Sequence, residues 1–163
     1  MAEIWDAYDR QFHKIENVAL IRGEPVPEGM YHLACEVIVQ HTDGTFLLMQ
    51  RDPSKHLGSM WELTAGGSAL AGETPMECAA RELREETGVT ASDWRELGRL
   101  AHDGHRTLYA VYLCTTDMDK DAVLLQEGET VDYQWVPADR LRKMGADTLA
   151  SRRTLDLLPD TEI

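Results

Sequence analysis

Three glutamates near the middle of the chain have the spacing of a cation site. Glu82, Glu85 and Glu86 stand at positions i, i+3 and i+4, so on an α-helix, at about 100° per residue, they lie on one face. Like charges at these spacings destabilise a helix unless a cation lies between them. Mg²⁺ meets that need, because it is usually held by a few carboxylates together with substrate phosphates.

The flanking residues predict the helix that such a site requires. Thr74, Pro75 and Glu77 are an N-cap, a proline at the first helical position and the second half of a capping box. Gly88 suits the left-handed residue that commonly closes a helix. We therefore predict a helix over about residues 74–87. Its buried stripe is expected away from the three glutamates, at the apolar positions that recur with helical spacing: Met76, Ala79, Ala80, Leu83 and Thr87.

A glutamate-rich helix face is ordinarily just solvated, but further residues here stand at fixed distances from the glutamates. The pattern G-x5-E-x7-R-E-U-x-E-E-x-G-U, with U aliphatic, is matched at every specified position, by Gly67, Glu73, Arg81, Glu82, Leu83, Glu85, Glu86, Gly88 and Val89. This pattern is the Nudix box, and the chain therefore resembles the Nudix family. Segments on both sides of the box, from Trp5–Asp9 to Val131–Pro137, resemble the branch that contains isopentenyl-diphosphate isomerase.

The resemblance implies a set of roles for the box residues. The metal ligands are expected to be the carboxylates of Glu82, Glu85 and Glu86 and the backbone carbonyl of Gly67, with Mg²⁺ as cofactor and Mn²⁺ as a substitute. Arg81, which we count among the catalytic residues, is expected with Glu73 to hold the glutamates in position. The implied reaction is water attack on phosphorus in a nucleoside diphosphate derivative or a similar organic pyrophosphate, for which a metal withdraws charge and activates water.

The general base stays open between two parts of the chain. Some Nudix hydrolases use a box glutamate, for which Glu85 is the first candidate here. Others use a carboxylate from the loop before a late strand, where this chain has Glu127 and Glu129. Because a glycine-containing loop can bring a side chain to the metal, Glu129 joins Glu85 as a candidate catalytic residue.

The charge of the chain limits its partners. With 29 acidic and 16 basic residues, the net charge is −13, which argues against a nucleic-acid polymer or an anionic membrane surface. A small-molecule diphosphate is repelled as well, so a metal and a few local cations must provide its binding. Our candidates for substrate binding are Arg51 first, then Arg106 with Lys55, and the aromatic ring of Trp61.

Length and composition predict one domain. The chain has 163 residues, 43% of them hydrophobic, which suffices for one core spanning residues 1–163, with residues 1–30 as an N-terminal extension packed on it. It has neither a membrane-length apolar run nor a signal-peptide pattern, so we predict a cytoplasmic protein, with a homodimer left open. Cys35, Cys78 and Cys114 lie apart in apolar contexts and are expected to be buried and reduced.

The remaining elements follow from periodicity and turn residues. We predict an α+β protein, and the resemblance implies the Nudix fold, a mixed β-sheet sandwiched between α-helices. The predicted elements are a hairpin of residues 33–41 and 45–51, strands at 94–100, 108–115 and 131–136, a short helix from Pro137 through Met144, and an amphipathic helix over residues 147–158.

Two alternative functions are an isopentenyl-diphosphate isomerase and a non-catalytic Nudix-fold sensor. Isopentenyl-diphosphate isomerases need a cysteine and a histidine in the segment that leads into the box, where this chain has Gly66 and Ser68. His32 is the exception, because those enzymes place a metal-binding histidine just before the equivalent strand. A non-catalytic Nudix-fold sensor usually lacks box carboxylates, whereas this box is complete.

Overall fold

The computed structural model describes residues 1–150 and 152–160 and contains two sheets. A two-stranded antiparallel sheet is formed by β1, Ile4–Tyr8, and β2, Lys14–Ile21. The second sheet has eight strands: β3 His32–His41, β4 Phe46–Arg51, β5 Trp61–Glu62, β6 Thr64–Ser68, β7 Ser92–His102, β8 Thr107–Thr116, β9 Thr130–Val136 and β10 Leu149–Ala150. The helices are α1 Pro75–Thr87, α2 Ala138–Lys143 and α3 Arg152–Leu155, with a 3₁₀ turn at Lys120–Ala122.

The second sheet is mixed, and β3 lies at its centre. β3 runs parallel to β8 and antiparallel to β6, while β4 pairs antiparallel with β9 and β5. The predicted hairpin of β3 and β4 forms at its turn, but the two strands share a single paired position, Gln40 with Phe46. Beyond that position β6 takes the place beside β3, which brings Gly66 and Gly67 next to the middle of that strand.

Helices cover both faces of this sheet, which confirms the predicted α+β architecture. On one face, Cys78, Ala79 and Leu83 of α1 pack with alternate residues of β3. On the other face, Leu141 of α2 and Leu155 of α3 pack with other residues of β3, β4 and β8. Alternation along the strands therefore supplies two separate apolar cores. No described helix combines the length and apolarity that a bilayer crossing demands.

Helix α1 coincides with the predicted helix of the box. Thr74 accepts a hydrogen bond from the Glu77 N–H, the Glu77 carboxylate accepts one from the Thr74 N–H, and Gly88 closes the helix with φ of 70°. The buried stripe differs slightly from our expectation, because Cys78 belongs to it whereas Met76 and Ala80 are partly exposed. All three cysteines are buried and free, as expected.

The predicted amphipathic helix over residues 147–158 is wrong for most of its length. Leu149 and Ala150 instead form a strand parallel to β5, and α3 is only four residues long. Ser151 lies outside the described residues. The apolar spacing was sound, since Leu149, Leu155 and Leu158 are all buried in the second core. The free edge of β5 decided the local conformation, which periodicity alone does not reveal.

The N-terminal sheet is fastened to the loop that leads into α1. Tyr8 and Tyr31 exchange two backbone hydrogen bonds of 2.9 Å. The Ala71 N–H donates to the Ile4 carbonyl, also at 2.9 Å, and the Gly72 N–H donates to Asp6 Oδ2 at 2.8 Å. The Tyr31 bonds hold β1 beside the start of β3, and the Ala71 and Gly72 bonds hold it against the segment between β6 and α1.

Candidate functional site

Arg81 contacts three carboxylates of the box. Arg81 donates from Nε to Glu73 Oε1 at 2.7 Å and from Nη2 to Glu73 Oε2 at 3.0 Å. Its Nη1 donates to Glu82 Oε1 at 2.6 Å and to Glu85 Oε2 at 3.3 Å, and Nη2 also reaches the Ser68 carbonyl at 3.1 Å. The planar guanidinium thereby orients Glu82 and Glu85 and ties α1 to β6. The Arg81 contact also lowers the pKa of Glu73.

The three glutamates differ in burial. Glu86 accepts a hydrogen bond from the Gly66 N–H at 3.1 Å, and burial, followed by nearby carboxylates, raises its pKa to about 8. Burial also raises the pKa of Glu82, whereas the Glu85 side chain is 49% exposed. Burial and neighbouring carboxylates both disfavour the ionised forms of these side chains. A divalent cation beside them would favour the ionised forms.

Two glycines of β6 allow this close approach. A Cβ atom on Gly67 would lie 2.6 to 2.7 Å from the Glu82 carboxylate, and one on Gly66 would lie 1.9 Å from the Cys35 carbonyl oxygen. Position 66, where the isomerases need a cysteine, therefore has no room for any side chain. The Gly67 carbonyl accepts a hydrogen bond from Cys78 Sγ at 3.5 Å.

Two cavities meet at these residues. The outer cavity, of about 310 Å³, is lined by the box residues Gly67, Arg81, Glu82, Glu85 and Glu86, with Glu3, Arg22 and Gln126 at its rim. The inner cavity, of about 250 Å³, is lined on its far side by His32, Glu36, Arg51, Glu62, Thr107 and Tyr109. The wall they share consists of Lys55, Gly66, Gly67, Ser68, Glu86 and Glu129.

The donor atoms at the outer cavity fit a hard divalent cation in their chemistry, because they are carboxylate and carbonyl oxygens with excess negative charge. As they stand, no three His, Cys, Asp or Glu side chains among residues 1–150 and 152–160 are grouped as a metal site. The reason is visible in the contacts, since Glu82 and Glu85 turn to Arg81 while Glu86 bonds to Gly66. The guanidinium supplies part of the positive charge that a metal would bring. The donor chemistry therefore fits a divalent cation, while the present positions of the oxygens follow their contacts with Arg81 and Gly66.

The two loop glutamates are placed differently. Glu129 lies in the wall shared by both cavities and forms an ion pair with Lys55. Its backbone carbonyl accepts a hydrogen bond from the Asp52 N–H at 2.9 Å. Glu127 is exposed and lines neither cavity. Of the two, Glu129 is therefore within reach of the box glutamates.

The substrate-binding candidates are divided by the structure. Arg51 lines the inner cavity, where its Nη1 pairs with Glu62 Oε2 at 2.7 Å and its Nε donates to the His56 carbonyl at 2.9 Å. Trp61 packs against the second core and lines neither cavity. Arg106 sits in the turn before β8 with φ of 47° and also lines neither cavity. The structure thus brings Arg51, but not Trp61 or Arg106, to the site.

His32 lines the inner cavity beside the N-terminal sheet. Its ring stacks on Trp5 with a centroid distance of 4.2 Å and an interplanar angle of 16°. Burial lowers its pKa, which favours the neutral imidazole. This packing accounts for the residue in the described structure without a metal.

Sequence reasoning missed several residues that line the cavities. Arg22, which pairs with Glu3 at 3.1 Å, belongs to the outer cavity. Glu36 belongs to the inner cavity, is only 9% exposed, and pairs through Oε1 with Arg153 Nη2 at 3.0 Å. Burial raises the pKa of Glu36, and the Arg153 charge opposes that shift. A single charge within the apolar run of residues 33–39 was a signal that could have revealed it.

The chain is similar in sequence and in fold to known proteins. A family model described as the NUDIX domain matches residues 30–158. An uncharacterized Nudix hydrolase of Listeria innocua, lin0387, is 28% identical over 143 residues, which cover 87% of this chain and 84% of that protein. A putative 8-oxo-dGTP diphosphatase 2 of Mycobacterium tuberculosis is 38% identical over 106 residues, which cover 59% of this chain and 74% of that protein. The crystal structure of DR0079 from Deinococcus radiodurans superposes with a TM-score of 0.73 at 19% identity, over 95% of this chain and 97% of that one.

Proposed function

This chain belongs to the NUDIX family and is a hydrolase of pyrophosphate bonds, and we propose that it cleaves a diphosphate linkage in a nucleoside diphosphate derivative or a similar organic pyrophosphate, with Mg²⁺ or Mn²⁺ as cofactor. The observation that carries the proposal is the position of Glu82, Glu85 and Glu86 on the outer cavity, directly beside a second cavity. We also infer that residues 1–163 act as one domain, because β1 is bonded to the loop before α1.

The two cavities suggest how the substrate is divided. The diphosphate belongs in the outer cavity with the metal ligands, and the group attached to it belongs in the inner cavity. Lys55 lies in the shared wall and Arg51 beside it, so both cations are placed to meet phosphate oxygens near the junction. Arg22 offers a third cation at the outer rim.

The residues that would hold the metal are Glu82, Glu85, Glu86 and the carbonyl of Gly67. A bound divalent cation withdraws charge from the pyrophosphate oxygens and lowers the pKa of a bound water. Arg81 and Glu73 keep the carboxylates in place, since the guanidinium contacts Glu73, Glu82 and Glu85 together. Partners of metal ligands typically contribute 10- to 100-fold to metal affinity or activity.

Glu129 is our first candidate for the general base, with Glu85 as the alternative. Glu129 shares the cavity wall with Glu86, and its ion pair with Lys55 holds the loop against that wall. Its carboxylate can therefore take a proton from water near the metal ligands. Glu85 lines the outer cavity as well and also has a cationic partner, Arg81 at 3.3 Å.

The experiment that tests the proposal is a metal-dependent hydrolysis assay with nucleoside triphosphates, nucleotide sugars, dinucleoside polyphosphates and non-nucleoside diphosphates. We expect turnover that EDTA abolishes and Mg²⁺ or Mn²⁺ restores. Glu85→Gln and Glu86→Gln should each lower kcat on the order of 10²-fold or more, because the metal supplies several kcal/mol of charge stabilisation. Circular dichroism should show an intact fold for both.

The matched control is Glu96→Gln, which removes a carboxylate paired with Arg99 on β7, away from both cavities. It should keep wild-type kcat. Near wild-type turnover of Glu85→Gln or Glu86→Gln at saturating metal would overturn the assignment of that residue as a ligand. Absence of hydrolysis on every substrate class would reject the proposed function.

A further inference from the structure

The inner cavity is lined by a buried glutamate, one of whose carboxylate oxygens has no hydrogen-bond partner among the described residues. Glu36 lies on β3, lines this cavity and is 9% exposed. Its Oε1 accepts a hydrogen bond from Arg153 Nη2 at 3.0 Å, whereas its buried Oε2 has no hydrogen-bond partner in the described part of the chain. A buried polar atom without a partner is costly and rare in native proteins. Because Glu36 lines a cavity, a group from outside the chain can supply that partner.

The position of this oxygen is fixed by its surroundings. Glu36 stands in the centre of the sheet, opposite Gly66 of β6 on one side and Val111 of β8 on the other. The Arg153 guanidinium, which donates a hydrogen bond to Oε1, lies over the ring of Tyr109, 4.4 Å from its centroid. Because these neighbours hold both the backbone and Oε1, the free Oε2 cannot easily turn to another protein donor.

The chemistry of the group sets what it can bind. Burial raises the pKa of Glu36, and the Arg153 charge opposes that rise. The contact of Oε1 with the Arg153 guanidinium at 3.0 Å is an ion pair, and the carboxylate of an ion pair only accepts hydrogen bonds. A phosphate oxygen, which is itself an acceptor, would be repelled by it. Among the groups of the substrate, the one that can satisfy Oε2 is therefore an N–H or O–H on the part that carries no phosphate.

We propose that Glu36 is a specificity-determining residue, whose Oε2 accepts a hydrogen bond from a donor on the non-phosphate group of the substrate. This inference rests on the proposed function and adds the class of substrate. The donor is either the amino group of a nucleobase or a hydroxyl of a sugar. Substrates that carry the donor are selected over otherwise identical substrates that lack it, since the latter leave the buried oxygen without a partner.

Two substrate pairs separate these sources. A cytidine and a uridine diphosphate derivative differ in an amino against an oxo group, and a ribose and a 2′-deoxyribose derivative differ in one hydroxyl. We expect the wild-type protein to favour the donor-bearing member of one pair by roughly 10- to 100-fold in kcat/KM, the range of a hydrogen bond to a charged group. The pair that shows the preference identifies the donor as base or sugar.

The Glu36→Gln variant tests the role of Oε2 directly, because it replaces one carboxylate oxygen by an NH₂ group. Arg153 offers only donors, so the glutamine oxygen takes the place of Oε1 beside Arg153 and the amide NH₂ takes the place of Oε2. The variant should therefore lose the preference in the amino against oxo pair and shift toward the oxo member. If the donor is the sugar hydroxyl, the ribose preference should shrink instead. Glu36→Met, of similar size and with no oxygen, should bring the ratio close to one without reversing it.

Glu96→Gln is the matched control for the two Glu36 variants. Glu96→Gln, which also breaks an arginine-paired carboxylate but lies outside the cavity, should leave every ratio unchanged. Folded Glu36→Gln and Glu36→Met proteins with wild-type ratios in both pairs would overturn the role of Glu36 and leave the proposed function standing. Calorimetric binding of the matching nucleoside monophosphates gives the same ratios without catalysis. If no substrate is cleaved but Glu36→Gln alters these binding ratios, hydrolysis of these substrates fails while the recognition role stands.

Discussion

At the scale of single residues, the arrangement around Arg81 explains why charge and position must be considered together. One guanidinium contacts Glu73, Glu82 and Glu85, whereas the partly buried Glu86 bonds to the Gly66 N–H and has a pKa raised to about 8. Carboxylates held this close are useful only if a further cation joins them. Glu129 differs from them because its partner is Lys55.

This difference predicts separate effects on rate and on metal binding. Glu129→Gln should reduce kcat by about 10²- to 10⁴-fold, the usual contribution of a general base, while the half-saturating Mg²⁺ concentration stays nearly constant. Steady-state rates over a Mg²⁺ titration give both quantities. Glu127→Gln is the matched control, since Glu127 is on the same loop, exposed and outside both cavities.

Other outcomes reassign the residue. A raised half-saturating Mg²⁺ concentration in Glu129→Gln would place Glu129 among the metal ligands. If neither rate nor metal dependence changes, the base must come from the box helix, and Glu85 becomes the first candidate.

The same scale shows what sequence could predict about the site. Arg81 and the box glutamates were predictable because they lie on one helix, where spacing alone determines which side chains share a face. Glu36 and Arg153 are 117 positions apart in sequence, so only the folded chain reveals their pairing. Trp61 was predicted to bind substrate because of its aromatic ring. The direction of its side chain, however, depends on the register of the two-residue strand β5 with β4.

At the scale of elements, the site depends on how closely β6 approaches both β3 and α1. The two approaches differ in what a new side chain would meet. At Gly66 a Cβ would contact backbone, the Cys35 carbonyl oxygen at 1.9 Å, whereas at Gly67 it would contact the end of the Glu82 side chain. Backbone in a paired strand cannot move without separating the strands, but a side-chain terminus can rotate.

Alanine at these two positions should therefore have distinct effects. Gly66→Ala should strongly lower the melting temperature or prevent folding. Gly67→Ala should fold but displace Glu82, which should weaken Mg²⁺ activation by roughly 10- to 100-fold, as for other disturbed ligand positions. Thermal melting and Mg²⁺ titration measure the two effects.

Gly98→Ala is the control, because its Cβ would meet Leu157 at an ordinary 3.5 Å. It should change neither quantity. A stable, fully active Gly66→Ala protein would show that β6 is not held at this distance from β3 in solution.

Elements were predictable where their signals are local. Thr74, Glu77 and Gly88 bound α1 through contacts within a few residues, and the structure has the same cap. The prediction of a helix over residues 147–158 was wrong because burial of Leu149 and Leu155 suits a helix as well as a strand followed by a turn. The pairing of β10 with β5 decided between them, and that partner is about 90 residues earlier in the chain.

At the scale of the whole molecule, the net negative charge repels an anionic substrate, while the cations that line the cavities attract it. The net charge is −13, and each cation near the junction already has an acidic partner: Arg22 with Glu3, Arg51 with Glu62, Lys55 with Glu129 and Arg81 with Glu73. A diphosphate therefore meets long-range repulsion on approach. At the site it must compete with carboxylates for these cations, which is why the metal ligands are indispensable to the proposed function.

This opposition predicts an unusual response to salt. The Debye length falls from about 30 Å at 0.01 M salt to about 10 Å at 0.1 M, so added NaCl screens the distant repulsion more than the contacts within the cavities. With Mg²⁺ kept saturating, KM for an anionic diphosphate should fall about two- to tenfold over this range, because the encounter rate of like-charged partners rises. The value of kcat should stay constant, since the reacting groups are in contact. Sucrose of equal osmolality should change neither constant, and a KM that rises with NaCl would show that the local cations, rather than the net charge, govern capture of the substrate.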